Sequence, residues 1–284
     1  MTSFDAVRRA ARTLGIRKAG HAGTLDPFAT GVLPVAVGEA TKAIRYLHLV
    51  DKTYCATVRF GVLTDTLDVA GKVLRTDDSP PPPVEAVTAA LNSFIGEIVQ
   101  RPPAFSAVKI NGKRAYELAR GGETVEPAPR KVKIHEAKLV SLDGPDAEIE
   151  LRCGAGMYVR ALARDLAERL GTCGTVWALT RTAYGPFAVD DAVDPAKASQ
   201  SALKPTTTAL GSMRVEVVPP DVESRVRQGA HIFDSFFDRA GMKRPRPRER
   251  FGLVDAASRL IAVIIAPPSF PSGRCEIERV FDEK

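Results

Sequence analysis

The sequence predicts an α+β fold with a small β-rich unit appended towards its C-terminus, on three observations. Residues 52–60 and 146–153 alternate apolar and polar side chains with the period of a half-buried strand. Residues 2–15, 84–96 and 159–171 repeat apolar residues at helical spacing. Beyond residue 213 the composition shifts to short apolar runs broken by turns.

The first helix has Thr2 or Ser3 to cap it, Asp5 in its first turn and Gly15 to end it, with Phe4, Val7, Ala11 and Leu14 expected on one face. After a glycine-rich loop, residues 32–37 are apolar and expected to be buried. In the strand at 52–60, Tyr54, Ala56, Val58 and Phe60 point one way and Thr53, Cys55, Thr57 and Arg59 the other. Residues 61–71 read as a polar loop with two aspartates. Four prolines at 80–83 lead into a helix with Val84, Val87, Leu91 and Phe94 inward, closed by Gly96. In the strand at 146–153 the inward residues are Ala147, Ile149, Leu151 and Cys153. A Gly-Ala-Gly break follows, then a helix marked by Val159, Leu162, Leu166 and Leu170 that stops at Gly171, with Tyr158 and Arg160 at its first turn.

Residues 101–133 differ in character, with two early prolines, an Asn-Gly turn at 111–112 and a surplus of basic side chains. Such a charge run is ordinarily a solvated excursion. Phe105, Tyr116 and the arginines interleave, the pattern of surfaces that hold RNA by stacking and charge, so both readings stand. Residues 190–212 read as a connecting, mostly exposed segment. In the tail, residues 215–218, 261–266 and 275–281 are expected strands. The basic run 239–250 is expected to be disordered or clamped on a phosphate backbone.

At 284 residues the chain is long enough for one large domain with a small partner. A net charge of +6 is compatible with a polyanionic partner and does not require one. Cys55, Cys153, Cys173 and Cys275, with four histidines, form no metal-ligand spacing, so no metal site is expected. No apolar run is long enough to span a bilayer and no leader is evident, which points to reduced thiols in a cytoplasmic protein.

Residues 20–31, GHAGTLDPFATG, crowd three glycines, two threonines and one proline around a single carboxylate. Pro27 fixes its own φ and biases Asp26 towards an extended conformation, so Asp26 is expected on a stiff loop, presented rather than packed. Asp26 and His21 are the acid–base candidates of the run. An isolated Asp-Pro would more simply be an Asx-type turn.

The twelve-residue run closely resembles the catalytic loop of the TruB family of tRNA pseudouridine synthases, with Ala22 where that family often has Thr. Further motifs follow in the family's order over residues 2–186. They are Lys52-Thr53-Tyr54, Gly156-Met157-Tyr158-Val159-Arg160, and Leu179 ahead of Thr180-Arg181-Thr182. Residues 1–7 resemble the end of the family's Lys-Pro-x-Gly-x-Thr-Ser motif. The missing Lys-Pro half implies a start set too late or a chain without an edge strand.

The resemblance implies a mixed, largely antiparallel sheet flanked by helices. It also implies a catalytic domain over 1–189 carrying an inserted RNA-binding loop at 102–130, a connecting segment at 190–212, and a PUA-like domain at 213–284. By the same resemblance Asp26 is the catalytic carboxylate, and His21 lies near the flipped nucleotide. Tyr54 stacks on the target base, Tyr158 and Leu179 line the uracil pocket, Arg160 pairs with Asp26, and Asp68 is a second acid near Arg160. Lys109, Lys113, Arg114 and Arg120 are the expected RNA-backbone contacts.

The function implied is isomerisation of the uridine at position 55, in the T-arm of tRNA, by a monomer that needs no cofactor. A non-catalytic RNA-binding or RNA-folding module on the same scaffold is the alternative. A nucleoside glycosidase is a third reading, disfavoured by the want of a second well-placed carboxylate. Without the resemblance, Tyr158 and Arg160 read as a core tyrosine and a surface arginine.

Overall fold

The strand over Lys52–Phe60 lies where its alternation puts it. The computed structural model describes residues 1–282 apart from 49, 107, 111, 124, 231, 234–236, 238–240 and 270–272. In chain order it contains helix α1 (Ser3–Thr13), strands β1 (Ala19–His21), β2 (Thr30–Gly31) and β3 (Val35–Val37), and helix α2 (Ile44–Leu47). Strands β4 (Lys52–Phe60), β5 (Val62–Thr64) and β6 (Val73–Thr76), helix α3 (Val84–Asn92) and strand β7 (Gly96–Gln100) follow. Then come β8 (Lys109–Ile110), β9 (Lys113–Arg114), helix α4 (Ala115–Arg120), β10 (Arg130–Asp143), β11 (Asp146–Cys153), helix α5 (Val159–Arg169), β12 (Gly174–Tyr184) and β13 (Phe187–Ala188). The tail holds β14 (Val215–Val217), helix α6 (Pro220–Arg227), β15 (Ile232–Phe233), β16 (Arg250–Val254), β17 (Leu260–Ile265) and β18 (Arg274–Val280). None of the described helices is long and apolar enough to cross a membrane.

The chain forms two compact units. One comprises Leu25–Val32 and Leu49–Ala192, the other Met1–Thr24, Leu33–His48 and Val193–Lys284. The first is built on a seven-stranded sheet in the order β13-β12-β4-β11-β10-β7, with β2 paired to β12. Every pairing is antiparallel except β2 with β12, so the sheet is mixed and largely antiparallel. Ala56, Val58 and Phe60 of β4 and Ala147, Ile149, Leu151 and Cys153 of β11 face one side, where Val87 and Leu91 of α3 and Leu162 and Leu166 of α5 cover them. Burying each such large aliphatic side chain is worth about 1.5–3 kcal/mol, which is why the period-2 and period-3.6 patterns locate these elements so well.

The second unit has a five-stranded sheet ordered β14-β16-β17-β18-β15, with Val222 and Val226 of α6 packed on it. Its core also takes Ala43 and Tyr46, which pack with Leu210, Val254, Leu260, Val263 and Phe281. This unit therefore draws on both ends of the chain and does not follow the composition shift at residue 213.

Several local expectations are corrected. In α1 the buried stripe is Ser3, Val7 and Ala10, while Phe4 is exposed with the Arg8 guanidinium over its ring. The helix is capped by Thr2, whose hydroxyl accepts from the Asp5 N–H while the Asp5 carboxylate accepts from the Thr2 N–H. Val84 is exposed at the start of α3, and Gly96 opens a strand rather than merely ending the helix. Within 32–37, Val32 and Pro34 are buried and the rest only half-buried. The loop at 61–71 begins with β5, hairpinned to β6. The excursion from 101 ends at Arg130, where the fourteen-residue β10 begins. The basic run 239–250 is folded over its described residues: Met242 and Pro245 are buried and Arg250 opens β16. Strand β12, which reads GTVWALTRTAY, escaped the sequence reading because its alternation is broken by a bulge between Val176 and Ala178.

Candidate active site

Arg160 organises the site. It is the second residue of α5, only 4% exposed, and its guanidinium is fully engaged. Nε donates to Asp26 Oδ2 and Nη2 to Asp26 Oδ1, both at 2.8 Å. Nη1 donates to the Thr66 carbonyl at 2.9 Å and lies 3.6 Å from Asp68 Oδ2, and Nη2 also donates to the Phe105 carbonyl at 3.0 Å. Such a fork fixes the carboxylate plane as well as its distance. The surface-arginine reading is thereby corrected: the alternation of the motif does not reveal burial that three loops create.

Those loops are shaped for the purpose. Leu67 has φ 60°, a strained value for a branched residue, and it turns the backbone so that Thr66 offers its carbonyl and Asp68 its carboxylate to the same guanidinium. Asp68 is held in turn by the Thr66 hydroxyl at 2.7 Å and the Ala70 N–H at 3.0 Å. Asp68 is recessed, with its side chain 8% exposed, whereas that of Asp26 is 32% exposed. The carboxylate that a substrate can reach is therefore Asp26.

The catalytic-loop candidate is anchored by β2. Gly31 sits opposite Arg181 with φ +99°, and a Cβ there would lie 2.2 Å from the Arg181 carbonyl oxygen. Only glycine permits this approach. The Val32 N–H donates to that same carbonyl, and Arg181 Nε donates to the Val32 carbonyl at 2.8 Å. Arg181 is 2% exposed and its guanidinium stacks on the Tyr184 ring. Arg181 is a buried residue of the site that its sequence neighbours do not single out. The signal for it in the sequence is the Leu179-x-Arg181 spacing.

Tyr54 lies opposite Arg181 across the β4–β12 register and packs against the core beside Leu179. Burial pushes its hydroxyl up to about 12, against the pull of the Arg181 guanidinium hydrogen-bonded to it. Burial also raises the Asp26 carboxyl above its ordinary value. The Arg160 charge opposes that rise, the Asp68 carboxylate adds to it, and Arg181 pulls against it from further away. The site thus holds two carboxylates and two guanidinium groups in one unit. A carboxylate held in orientation by Arg160 and partly open suits nucleophilic attack or proton removal.

Tyr158 caps α5 two residues before Arg160, and the Arg130 guanidinium lies over its ring at 4.9 Å. Leu179 is buried on β12 opposite Ala56. His21 belongs to the other compact unit, on β1 opposite Val35. Lys109 and Arg114 pair across the β8–β9 hairpin, Arg120 ends α4 and Lys113 is exposed. The side chains of Lys109, Arg114 and Arg120 lie outside the described residues.

Comparison with known proteins identifies the family. Residues 11–159 match the family described as TruB family pseudouridylate synthase (N terminal domain). The chain is 49% identical over 195 residues to "tRNA pseudouridine synthase B" of Wolbachia pipientis subsp. Culex pipiens, covering 68% of this chain and 55% of that protein. It is 46% identical over 244 residues to the protein of the same name from Caulobacter vibrioides, covering 82% of this chain and 77% of the relative. In fold it resembles the structure titled "Crystal structure of the archaeal box H/ACA sRNP Nop10-Cbf5 complex", with a TM-score of 0.73 at 22% identity over 99% of this chain and 83% of that one. The match over residues 11–159 and the identity to these relatives place the chain in the TruB family of pseudouridylate synthases.

Proposed function

We propose that this chain isomerises a uridine of tRNA to pseudouridine, at position 55 in the T-arm, with Asp26 as the catalytic carboxylate. The observation that carries the reading is the two-bond Asp26–Arg160 pair, buried on the arginine side and open on the carboxylate side. The names of the relatives, tRNA pseudouridine synthase B, support the substrate class.

In the reaction the N1–C1′ bond of the uridine breaks, the uracil turns in place, and a C5–C1′ bond forms. A proton leaves C5 and N1 takes one up, so atoms and electrons balance without an oxidant or reductant. Asp26 serves as nucleophile or base. Arg160 keeps it ionised and oriented, and Asp68 shares the load of the buried guanidinium.

Extruding the target base from stacked RNA costs a few kcal/mol. Stacking on the Tyr54 ring returns about 1–3 kcal/mol. Tyr158 and Leu179 complete the pocket, and residues 102–130 supply cationic contacts to the RNA backbone. The role of His21 rests on the family resemblance.

The test is single-turnover pseudouridine formation with enzyme in excess over an unmodified tRNA transcript, read beside a binding isotherm. Wild type converts the transcript at position 55. Asp26→Asn binds with similar affinity and makes no product. Turnover of the variant within about tenfold of wild type would sink the mechanism, since a neutral amide cannot replace a nucleophile or base so cheaply. Binding without turnover in the wild-type protein favours the non-catalytic RNA-binding module instead.

A further inference from the structure

Gln100 is 1% exposed, at the last position of β7, and no role in the reaction has been given to it above. Both ends of its side-chain amide are spent on one neighbouring residue. Its Oε1 accepts from the Tyr158 N–H at 2.9 Å, and its Nε2 donates to the Tyr158 carbonyl at 3.1 Å. Tyr158 is the N-cap of α5, in extended conformation (φ −113°, ψ 118°), and its own side chain makes no capping bond. The N–H of such a residue lies outside the helical ladder and needs another acceptor when water is excluded. Gln100 provides it and fixes the direction in which the chain enters α5.

The cross-strand neighbour of Gln100 is Arg130. Arg130 donates to the Gly156 carbonyl and covers the Tyr158 ring at 4.9 Å. The pair thus holds one residue twice, Gln100 by its backbone and Arg130 by its ring. The segment that leaves β7 continues the fastening: the Arg101 carbonyl accepts from Arg164 Nη2, and the Phe105 carbonyl from Arg160 Nη2, both at 3.0 Å. Arg160 follows Tyr158 by two residues, so the angle set at Tyr158 governs where the guanidinium falls relative to Asp26.

We propose that Gln100 is a positioning residue for the reaction: by clamping both backbone groups of Tyr158 it aims Arg160 at Asp26 and sets Tyr158 in the substrate pocket. The inference rests on the reading of Asp26 and Arg160 as the reacting pair. Gln100→Met keeps the length and volume of the side chain but removes both bonds. Gln100→Asn keeps the amide on a stem one methylene shorter, which cannot span both groups. Neither change alters charge.

The experiment measures single-turnover pseudouridine formation on an unmodified tRNA transcript as a function of pH, with binding and circular dichroism for each variant. In Gln100→Met the rate falls on the order of 100-fold, as for a misplacement of about 1 Å, while tRNA affinity holds within about threefold. Gln100→Asn falls between it and wild type. The acid limb of the rate profile moves to higher pH in both variants. Of the charges facing Asp26, which are Arg160, Asp68 and Arg181, the one that most favours its ionised form has drawn away. A loss of folded protein lowers the rate without moving that limb.

A folded variant with a rate within about threefold of wild type overturns the proposal, as does a lost rate with an unmoved acid limb. If Gln100→Met does not fold, Gln100→Asn is read by the same two criteria. Failure of both to fold assigns Gln100 to stability and also overturns it. Asp26→Asn, run alongside, separates the two levels. Product from Asp26→Asn rejects the functional reading, whereas an inactive Asp26→Asn beside a wild-type-like Gln100→Met rejects only the role of Gln100.

Discussion

Arg160 and Asp26, 134 positions apart in the sequence, meet through two parallel hydrogen bonds of 2.8 Å. The same guanidinium also donates to the carbonyls of Thr66 and Phe105, with Asp68 behind. One planar cation thus ties together the catalytic-loop candidate, the turn after β5, the segment after β7 and the start of α5.

Arg160→Lys tests that geometry. A lysine ammonium cannot bond a carboxylate through a two-point fork and reach two carbonyls as well. Pseudouridine formation is expected to fall on the order of 100-fold with tRNA affinity nearly unchanged. Single-turnover rates and binding isotherms check this, and equal loss in both would show that Arg160 serves RNA binding instead.

The pH dependence follows from the raised carboxyl of Asp26. Activity needs the ionised form, so the acid limb of the rate profile is expected above the ordinary aspartate value of 3.8. The stability sign is the reverse. A folded-state value above the unfolded one gives stability that is complete below the unfolded value and is lost as pH rises through the folded one. Ionised Asp26 is therefore a cost to the fold at neutral pH. Asp26→Asn is expected to melt at the same temperature as wild type or higher, while making no product. A melting temperature clearly below wild type would show that the pair with Arg160 outweighs burial.

Neutralising Lys109, Lys113, Arg114 and Arg120 together should flatten the salt dependence of tRNA binding. If each meets a phosphate, the slope of log affinity against log salt loses about 2–4 units. A quadruple variant with the wild-type slope would remove residues 102–130 from the RNA surface.

Thiol chemistry gives a check on the cores that is independent of RNA. Cys153, Cys173 and Cys275 are buried, and burial pushes the Cys153 thiol up to about 12. Cys55 is half-exposed, but burial and its hydrogen bond to Glu148 raise it as well. Native protein at pH 8 should therefore modify at one thiol at most, slowly, and unfolded protein at all four. Rapid native reaction of two or more would contradict the packing of β11, of β18 or of the residue leading into β12.

Local physics determined a good deal of this protein from its sequence. Alternation placed β4 and β11 to the residue, because a half-buried strand has to repeat every second position. Periodicity with a glycine stop placed α5, and the stiffness of a Gly-Thr-Leu-Asp-Pro run marked Asp26 as presented. Resemblance then assigned Arg160, Asp68, Tyr54 and Tyr158. What escaped was non-local. Strand β12 was hidden by its bulge, and β10 by the charged surroundings from which it emerges. The buried stripe of α1 is rotated from Phe4 to Ser3, Val7 and Ala10, because which side of a short amphipathic helix is covered depends on what packs there. Arg181 and Gln100 are polar residues whose sequence neighbours give no sign of burial. Only the tertiary structure, by bringing carbonyls, an N-cap and a tyrosine from distant segments around them, decided that they are inside: a polar side chain is buried where partners far along the chain satisfy it, and no local pattern records those partners.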